Sequence, residues 1–227
     1  MVNMKRQEFI QETRESADLA VQRSNAYLER IGLSLTVNWD YDSWEENGLD
    51  NAIGAYESDS VFSGEISIAF NMRNLRKWLA TAEKDNPWSD PYKMLDEAIQ
   101  TNVFHEMGHG IVQLIDDYLQ NTDELDDIYD RNQELFDYVL DNEEDAVEEF
   151  AWEVYDNQPE ESELGQLVDL YVHLWDTDGQ GDDDRIPEIV GEGKMTAKRR
   201  RIRLTEEDLR KIVRKAVNEV LSQLPTN

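Results

Sequence analysis

Apolar residues recur every three or four positions near the start of the chain. These positions are Phe9, Ile10, Ala17, Ala20, Val21, Leu28 and Ile31. Such spacing gathers apolar side chains on one face of a helix, because an α-helix completes a turn in about 3.6 residues. The sequence therefore predicts a long first helix.

Two short segments further along alternate apolar and polar residues. The first, 33–39, has the sequence LSLTVNW, and the second, 64–71, has the sequence GEISIAFN. A period of two is typical of a strand that buries one face. Both segments are therefore predicted to be half-buried strands.

The helical period returns at residue 88 and dominates the next part of the chain. Ser89 or Asp90 is a suitable N-cap for the helix that begins there, and Pro91 suits its first turn. Three further helices are predicted near 131–140, 142–156 and 161–175. Several helices around a small sheet predict an α+β fold.

Composition limits the chemistry available to this fold. Apolar residues make up 39% of the chain, which is enough for one domain with a real core. The chain has no cysteine, so disulfides, thiol catalysis and thiolate metal sites are excluded, and any metal must be held by His, Asp or Glu. The N-terminal segment lacks the apolar run of a secretory signal or membrane anchor, so we expect a cytoplasmic protein without a membrane span.

Charge divides the chain into three parts. Acidic residues outnumber basic ones by 51 to 22, yet from Lys194 onward ten Lys and Arg face only four acids. We predict a domain at 1–175, a linker at 176–200 that passes from acidic and glycine-rich to basic, and a basic amphipathic helix at 201–224. The acidic body disfavours nucleic acid, whereas the basic helix is expected to dock to another protein and could contact nucleic acid.

The acidic start of the linker has part of the spacing of a calcium-binding loop. Asp176, Asp178, Gln180 and Asp182 stand at alternate positions, with glycine at the sixth. Pro187 occupies the twelfth position, where such loops carry glutamate. The sequence therefore favours an acidic linker over a calcium site at 176–184.

The predicted helix from residue 88 carries two of the three histidines in the chain. His105 and His109 are four residues apart, so both imidazoles lie on one helix face and can bind one ion. Glu106 is too close to His105 to share that ion comfortably, but it can reach a water beside it. Gly108 leaves the helix surface bare for close approach of another element or a substrate. This is the H-E-x-x-H arrangement of zinc hydrolases.

Catalytic zinc needs a third protein ligand and one open position. A metzincin would supply a third histidine shortly after His109, but the chain continues HGIVQLIDDY, so that class is excluded. His173 is one alternative. In the predicted helix at 142–156, Glu144 and Glu148 border one edge of the apolar stripe and Glu143 borders the other, where a carboxylate can be half-buried and aimed at a neighbouring helix.

The motif and the later acidic segment together resemble the gluzincins, and most closely the small ImmA/IrrE-like and phage-encoded metallopeptidases. In those proteins an H-E-x-G-H helix is followed by a helix of the form E-x-x-A-x-x-F-A, which corresponds here to 144–151. The resemblance implies a zincin-like fold with Glu144 as third ligand and Glu148 as hydrogen-bond acceptor for a ligand histidine. Glu148 and Glu143 remain alternative ligands, because Val147 stands where those peptidases usually have alanine, and His173 remains a further alternative.

The resemblance covers roughly residues 60–157 and implies an activity. It implies Zn²⁺-dependent hydrolysis of a peptide or protein substrate, with Glu106 as the general base, and a strand at 64–71 that offers its edge to an extended substrate. The partner that stabilises the oxyanion stays open among Tyr138, Tyr155, Tyr171 and His173.

The C-terminal segment resembles tails that recur on proteins of large bacteriophages. A phage-encoded enzyme would work in the host cell cytoplasm, with the virion as a second location. The alternative function is a virion-associated or adaptor protein that keeps a zincin scaffold without catalysis.

Overall fold

A computed structural model of the chain describes residues 4–41, 44, 49, 51–57, 64–121 and 126–176. Nearly all of the predicted linker, including the acidic loop considered for calcium, and the whole of the predicted C-terminal helix lie outside the described residues. The expectations for those segments therefore stay predictions.

The described chain is mostly helical with one small sheet, which confirms the predicted α+β class. Its elements, in chain order, are α1 (Arg6–Leu28), β1 (Ser34–Asn38), β2 (Gly54–Glu57), β3 (Glu65–Phe70), α2 (Met72–Asp85), α3 (Pro91–Asn121), α4 (Asp126–Arg131), α5 (Gln133–Asp141), α6 (Glu143–Tyr155) and α7 (Glu163–Asp176). Among the described residues, no helix is both long enough and apolar enough to cross a membrane.

The sheet has three strands in the order β1-β3-β2. β1 runs parallel to β3, with Ser34 opposite Glu65, and β2 runs antiparallel to β3, with Gly54 opposite Phe70. Strand β3 is therefore central, and the expectation that 64–71 offers a free edge is wrong. The sequence did not predict β2, whose four residues are too short for a period of two to be recognised.

Helix α3 is the central helix of the fold, packing against both α1 and α6. Its side chains Leu95, Ile99, Val103 and Phe104 are fully buried. The backbone N–H of Tyr92 donates to the Asp90 side chain at 3.0 Å, so Asp90 is the N-cap. The H-E-x-x-H segment therefore lies inside a long, well-anchored helix.

A glycine brings α3 close to the sheet. A Cβ atom at Gly110 would lie 2.6 Å from Cδ1 of Ile66 on β3, which is closer than carbon atoms can approach. Ile66 is fully buried. The bare helix surface at Gly110 thus fixes how α3 sits on β3.

Helix α2 was not predicted, although its sequence carries a helical signal. Leu75, Leu79 and Ala82 are buried at the spacing of one helix face, and the Asn71 side chain accepts a hydrogen bond from the backbone N–H of Asn74 at 3.2 Å as an N-cap. The helix was missed because it follows directly on the strand pattern predicted for 64–71. Helix α4 was also missed, since its six residues are too few to show a period.

Arg23 on α1 ties three helices together. Its guanidinium donates to Oε1 of Gln100 on α3 at 2.8 Å and to the carbonyl oxygens of Val154 and Tyr155 on α6 at 2.7 and 3.1 Å. It also lies over the Phe104 ring, 4.9 Å from the ring centroid. A cation at the carbonyl end of α6 is favourable for the helix dipole, so Arg23 helps to fix α6 against α3.

Candidate metal centre

Two imidazoles meet in the middle of α3. Nε2 of His105 and Nε2 of His109 lie 3.1 Å apart, as expected for residues one helical turn apart. Their side chains are 27% and 16% exposed, so both are largely enclosed but reachable from one side. The structure therefore places the two nitrogens where one ion could contact both.

Glu144, in the first turn of α6, supplies a third donor. Its Oε2 lies 3.8 Å from Nε2 of His105, and its Oε1 lies 3.8 Å from Nε2 of His109. The side chain is 80% exposed, so the expectation of a half-buried carboxylate is wrong for Glu144.

Glu143 contacts the other side of His109. Its Oε1 lies 2.6 Å from Nδ1 of His109, so the imidazole donates its Nδ1–H to the carboxylate and keeps the Nε2 lone pair for a metal. This hydrogen bond holds the pKa of Glu143 below its usual range. Burial acts to lower the pKa of His109, but the hydrogen bond and the surrounding carboxylates outweigh it and raise that pKa.

The geometry changes how the acidic candidates are interpreted. Glu143, predicted as an alternative ligand, accepts the hydrogen bond from His109, and the sequence had predicted such an acceptor at Glu148. The role of Glu148 itself stays a prediction. His173 lies on α7 with its side chain outside the described part of the chain, so its place as an alternative ligand also stays a prediction.

His105 is well suited to present a lone pair. Burial, and then the neighbouring charge of His109, lower its pKa to about 4. A neutral imidazole is the form that binds a metal. At neutral pH, His105 therefore needs no deprotonation before binding.

The three donors fit a single zinc ion. Neighbouring ligands of tetrahedral zinc lie about 3.3 to 3.4 Å apart when the bonds are about 2.0 to 2.1 Å long. The two histidine nitrogens lie 3.1 Å apart, and each lies 3.8 Å from a different oxygen of Glu144. With one oxygen per carboxylate the three donor atoms lie within 4.8 Å of one another, and a small rotation of the exposed Glu144 side chain would bring one oxygen to the spacing of zinc ligands. Two imidazoles and one carboxylate also form a donor set that zinc favours in catalytic sites.

Glu106 lies beside these donors but is not one of them. It is buried, with 8% of its surface exposed, and burial and the charge of Glu144 raise its pKa to about 7. The charge of His109 and a hydrogen bond from the backbone N–H of Tyr56 on β2 act in the opposite direction. Strand β2 thus holds the carboxylate in place from across the cleft.

Gly108 allows α6 to approach α3. A Cβ atom at this position would lie 2.8 Å from Cγ1 of Val147, which is fully buried. The close approach expected at Gly108 is therefore made by α6. Val147 lies one helical turn after Glu143 and Glu144. The contact between Gly108 and Val147 therefore determines how far both carboxylates lie from the histidines.

A cleft of about 620 Å³ opens above the centre, between β2, α3 and the start of α6. Tyr56 lines it, and its hydroxyl donates to Oε1 of Gln113 at 2.8 Å. Among the described residues lining the cleft Tyr56 is the only tyrosine, and none of Tyr138, Tyr155 and Tyr171 lines it. The sequence does not predict Tyr56 as a site residue, because the four residues of β2 show no recognisable period.

No family model matches the chain, and neither does any curated protein or solved structure. The comparisons therefore assign the chain to no family.

Proposed function

We propose that the protein is a zinc-dependent metallopeptidase of gluzincin type on a zincin-like fold. One observation carries the proposal: His105, His109 and Glu144 each offer a donor atom within 4.8 Å of the other two, and the buried carboxylate of Glu106 lies beside them. Glu143 supports it by fixing the tautomer of His109. His105, His109 and Glu144 all line the cleft, so they would hold a zinc ion within reach of a water or substrate there, as catalysis by zinc requires.

The reaction needs a base whose pKa lies near the working pH, and Glu106 is that group. When bound, zinc would polarise the scissile carbonyl and make water a stronger acid. The carboxylate of Glu106 accepts a proton from the attacking water and then donates it to the leaving nitrogen. A cation held by the neighbouring donors would lower the pKa of Glu106 from about 7 and so favour its basic form at neutral pH.

The substrate is an extended peptide or a protein segment. Among the described residues β2 is one of the two edge strands of the sheet, and it lines the cleft, so an incoming strand can pair beside it. This is the role that the resemblance implied for 64–71, moved to the neighbouring strand. The backbone N–H of Tyr56 already donates to Glu106, so a peptide paired with β2 would lie next to the base.

The deciding experiment separates metal binding from catalysis. Glu106→Gln should keep about one zinc per chain and a nearly unchanged melting temperature, but lose about 10² to 10⁴-fold in peptide hydrolysis. Zinc is measured by elemental analysis, and cleavage by mass spectrometry of a peptide library digested with wild type and variant. Glu144→Gln should weaken zinc binding far more than the matched change Glu149→Gln on the same helix.

The outcomes are distinct. Zinc-free protein of full stability, or equal effects of the two α6 variants, would contradict the metal centre. Protein that binds zinc but cuts no peptide or protein better than Glu106→Gln would favour the alternative, an adaptor that keeps the scaffold without catalysis.

A further inference from the structure

A second groove lies between α1 and α2, and it has the opposite charge from the rest of the body. It has a volume of about 740 Å³ and shares no lining residue with the metal cleft. We call it the α1–α2 groove. Its charged lining residues are all cations, namely Arg6, Arg14, Arg73, Arg76 and Lys77.

The five cations are notable because this chain has so many acids available to pair with them. Acids outnumber bases by 51 to 22, yet within the part of the chain that the structure describes none of the five forms an ion pair. Lys77 donates only to Oδ1 of Asn74, at 3.3 Å. Four of the five are exposed and Arg76 is half-buried. Such a cluster repels itself and is relieved by an anionic partner.

The floor of the groove is apolar and holds two of the cations in place. The Arg14 guanidinium lies over the Trp39 ring at 5.4 Å, and the Arg76 guanidinium lies over the Phe9 ring at 5.9 Å. Trp39 and Phe9 are partly and fully buried, respectively. The cations are thus positioned above apolar surface before any ligand arrives, which lowers the entropic cost of binding.

We propose that the α1–α2 groove binds an acidic, amphipathic segment of a partner protein. Apolar side chains of such a segment would cover the floor, while its carboxylates would pair with the cations at the rim. A short peptide covers the groove alone and avoids the acidic surface around it.

Nucleic acid is the less suitable ligand. Phe70 stacks on Trp39 with ring centroids 5.7 Å apart, and Arg14 lies over the same indole, so the ring faces that a base would need are already in contact. A polyanion would also extend from the groove over a protein of net charge −29, where it is repelled.

The test uses the full chain and a fluorescein-labelled synthetic peptide in which Asp and Glu alternate with Leu and Ile. Fluorescence anisotropy should show binding that weakens as salt is raised, because the contacts are exposed ion pairs. Arg73→Glu should weaken binding about fivefold or more. Lys84→Glu is the matched control, since it is exposed on the same helix, lies outside the groove and changes the net charge equally.

Four results would overturn the proposal. They are no binding of the acidic peptide, equal effects of Arg73→Glu and Lys84→Glu, equal binding of a peptide with Gln in place of its acids, and tighter binding of a single-stranded oligonucleotide of the same charge. A fifth concerns the chain's own acidic segment. If changing Asp182, Asp183 and Asp184 to Asn raises peptide affinity about tenfold, that segment occupies the groove and no separate partner is needed.

Discussion

Replacing Gly108 with alanine would test whether the approach of α6 to α3 sets the metal centre. The new Cβ would lie 2.8 Å from Cγ1, 3.2 Å from Cγ2 and 3.3 Å from Cβ of Val147. Carbon atoms pack best at about 3.5 to 4.0 Å, so the helices must separate by roughly 0.7 to 1.2 Å. Val147 cannot relieve the contact by rotating, because a β-branched side chain in a helix has one strongly preferred rotamer.

The expected cost follows from opposing contributions. Overpacking of a filled core costs about 1 to 3 kcal/mol, and replacing a helical glycine by alanine returns about 0.5 to 1 kcal/mol. Gly108→Ala should therefore lower the free energy of unfolding of metal-free protein by up to about 2.5 kcal/mol. A displacement of this size also exceeds the tolerance of about 0.2 Å for zinc–ligand distances, so zinc affinity should fall as well.

A double-mutant cycle supplies the sharpest measurement. Val147→Ala alone removes two buried methyl groups and should cost about 2 to 3 kcal/mol. In the double variant the methyl group introduced at position 108 enters the space vacated at Val147. The combined cost should therefore be smaller than the sum of the single costs by at least about 1 kcal/mol.

The measurements are urea unfolding of metal-free protein, followed by tryptophan fluorescence, and zinc affinity by competition with a chelator. Single costs that add within about 0.3 kcal/mol would show that the two positions do not compete for space. Gly108→Ala protein with unchanged stability and unchanged zinc affinity would refute the reasoning altogether.

Three further predictions concern neighbouring residues. Glu143→Gln should lower zinc affinity about 10 to 100-fold, because His109 loses a charged acceptor; unchanged chelator competition would contradict this. In metal-free protein the pKa of Glu106 is raised by burial to about 7, so this group lowers stability as pH rises from about 4.5 to 7. Glu106→Gln should therefore stabilise metal-free protein by up to about 3 kcal/mol at pH 8 and leave it unchanged near pH 4, as measured by urea unfolding at both pH values. Arg23→Met should reduce the free energy of unfolding by about 2 to 4 kcal/mol, since two carbonyl oxygens of α6 lose a charged donor; a loss below about 0.5 kcal/mol would show that water replaces it.

The sequence predicted the helices and strands whose apolar residues repeat regularly over enough positions to be recognised. Helices α1, α3, α6 and α7 repeat apolar residues at helical spacing over several turns, and the sequences of β1 and β3 begin with an alternation of apolar and polar residues, so each element shows its period. The four residues of β2 show none, and their strand state depends on pairing with β3. Tyr56 could therefore not be connected to Glu106 from sequence alone.

The candidate metal centre likewise combines features that depend on neighbouring residues with features that depend on packing between helices. That His105 and His109 share a face follows from helix geometry, which is local. Whether Glu143 or Glu148 meets His109 depends on how far α6 is rotated and how closely it approaches, and the contact between Gly108 and Val147 fixes both. The α1–α2 groove could not be predicted from the sequence either, because its cations come from separate parts of the chain and are brought together only by the packing of the helices.

The bridge from Arg23 to α6 has a consequence for synthesis on the ribosome. Arg23 and Val154 are separated by 131 positions. At about 5 to 20 residues per second, α1 is made roughly 7 to 26 seconds before its carbonyl partners exist. During that interval the buried face of α1 has no α6 and, at first, no α3 to cover it. A nascent chain paused before residue 154 should therefore be the form of this protein most readily captured by chaperones and proteases.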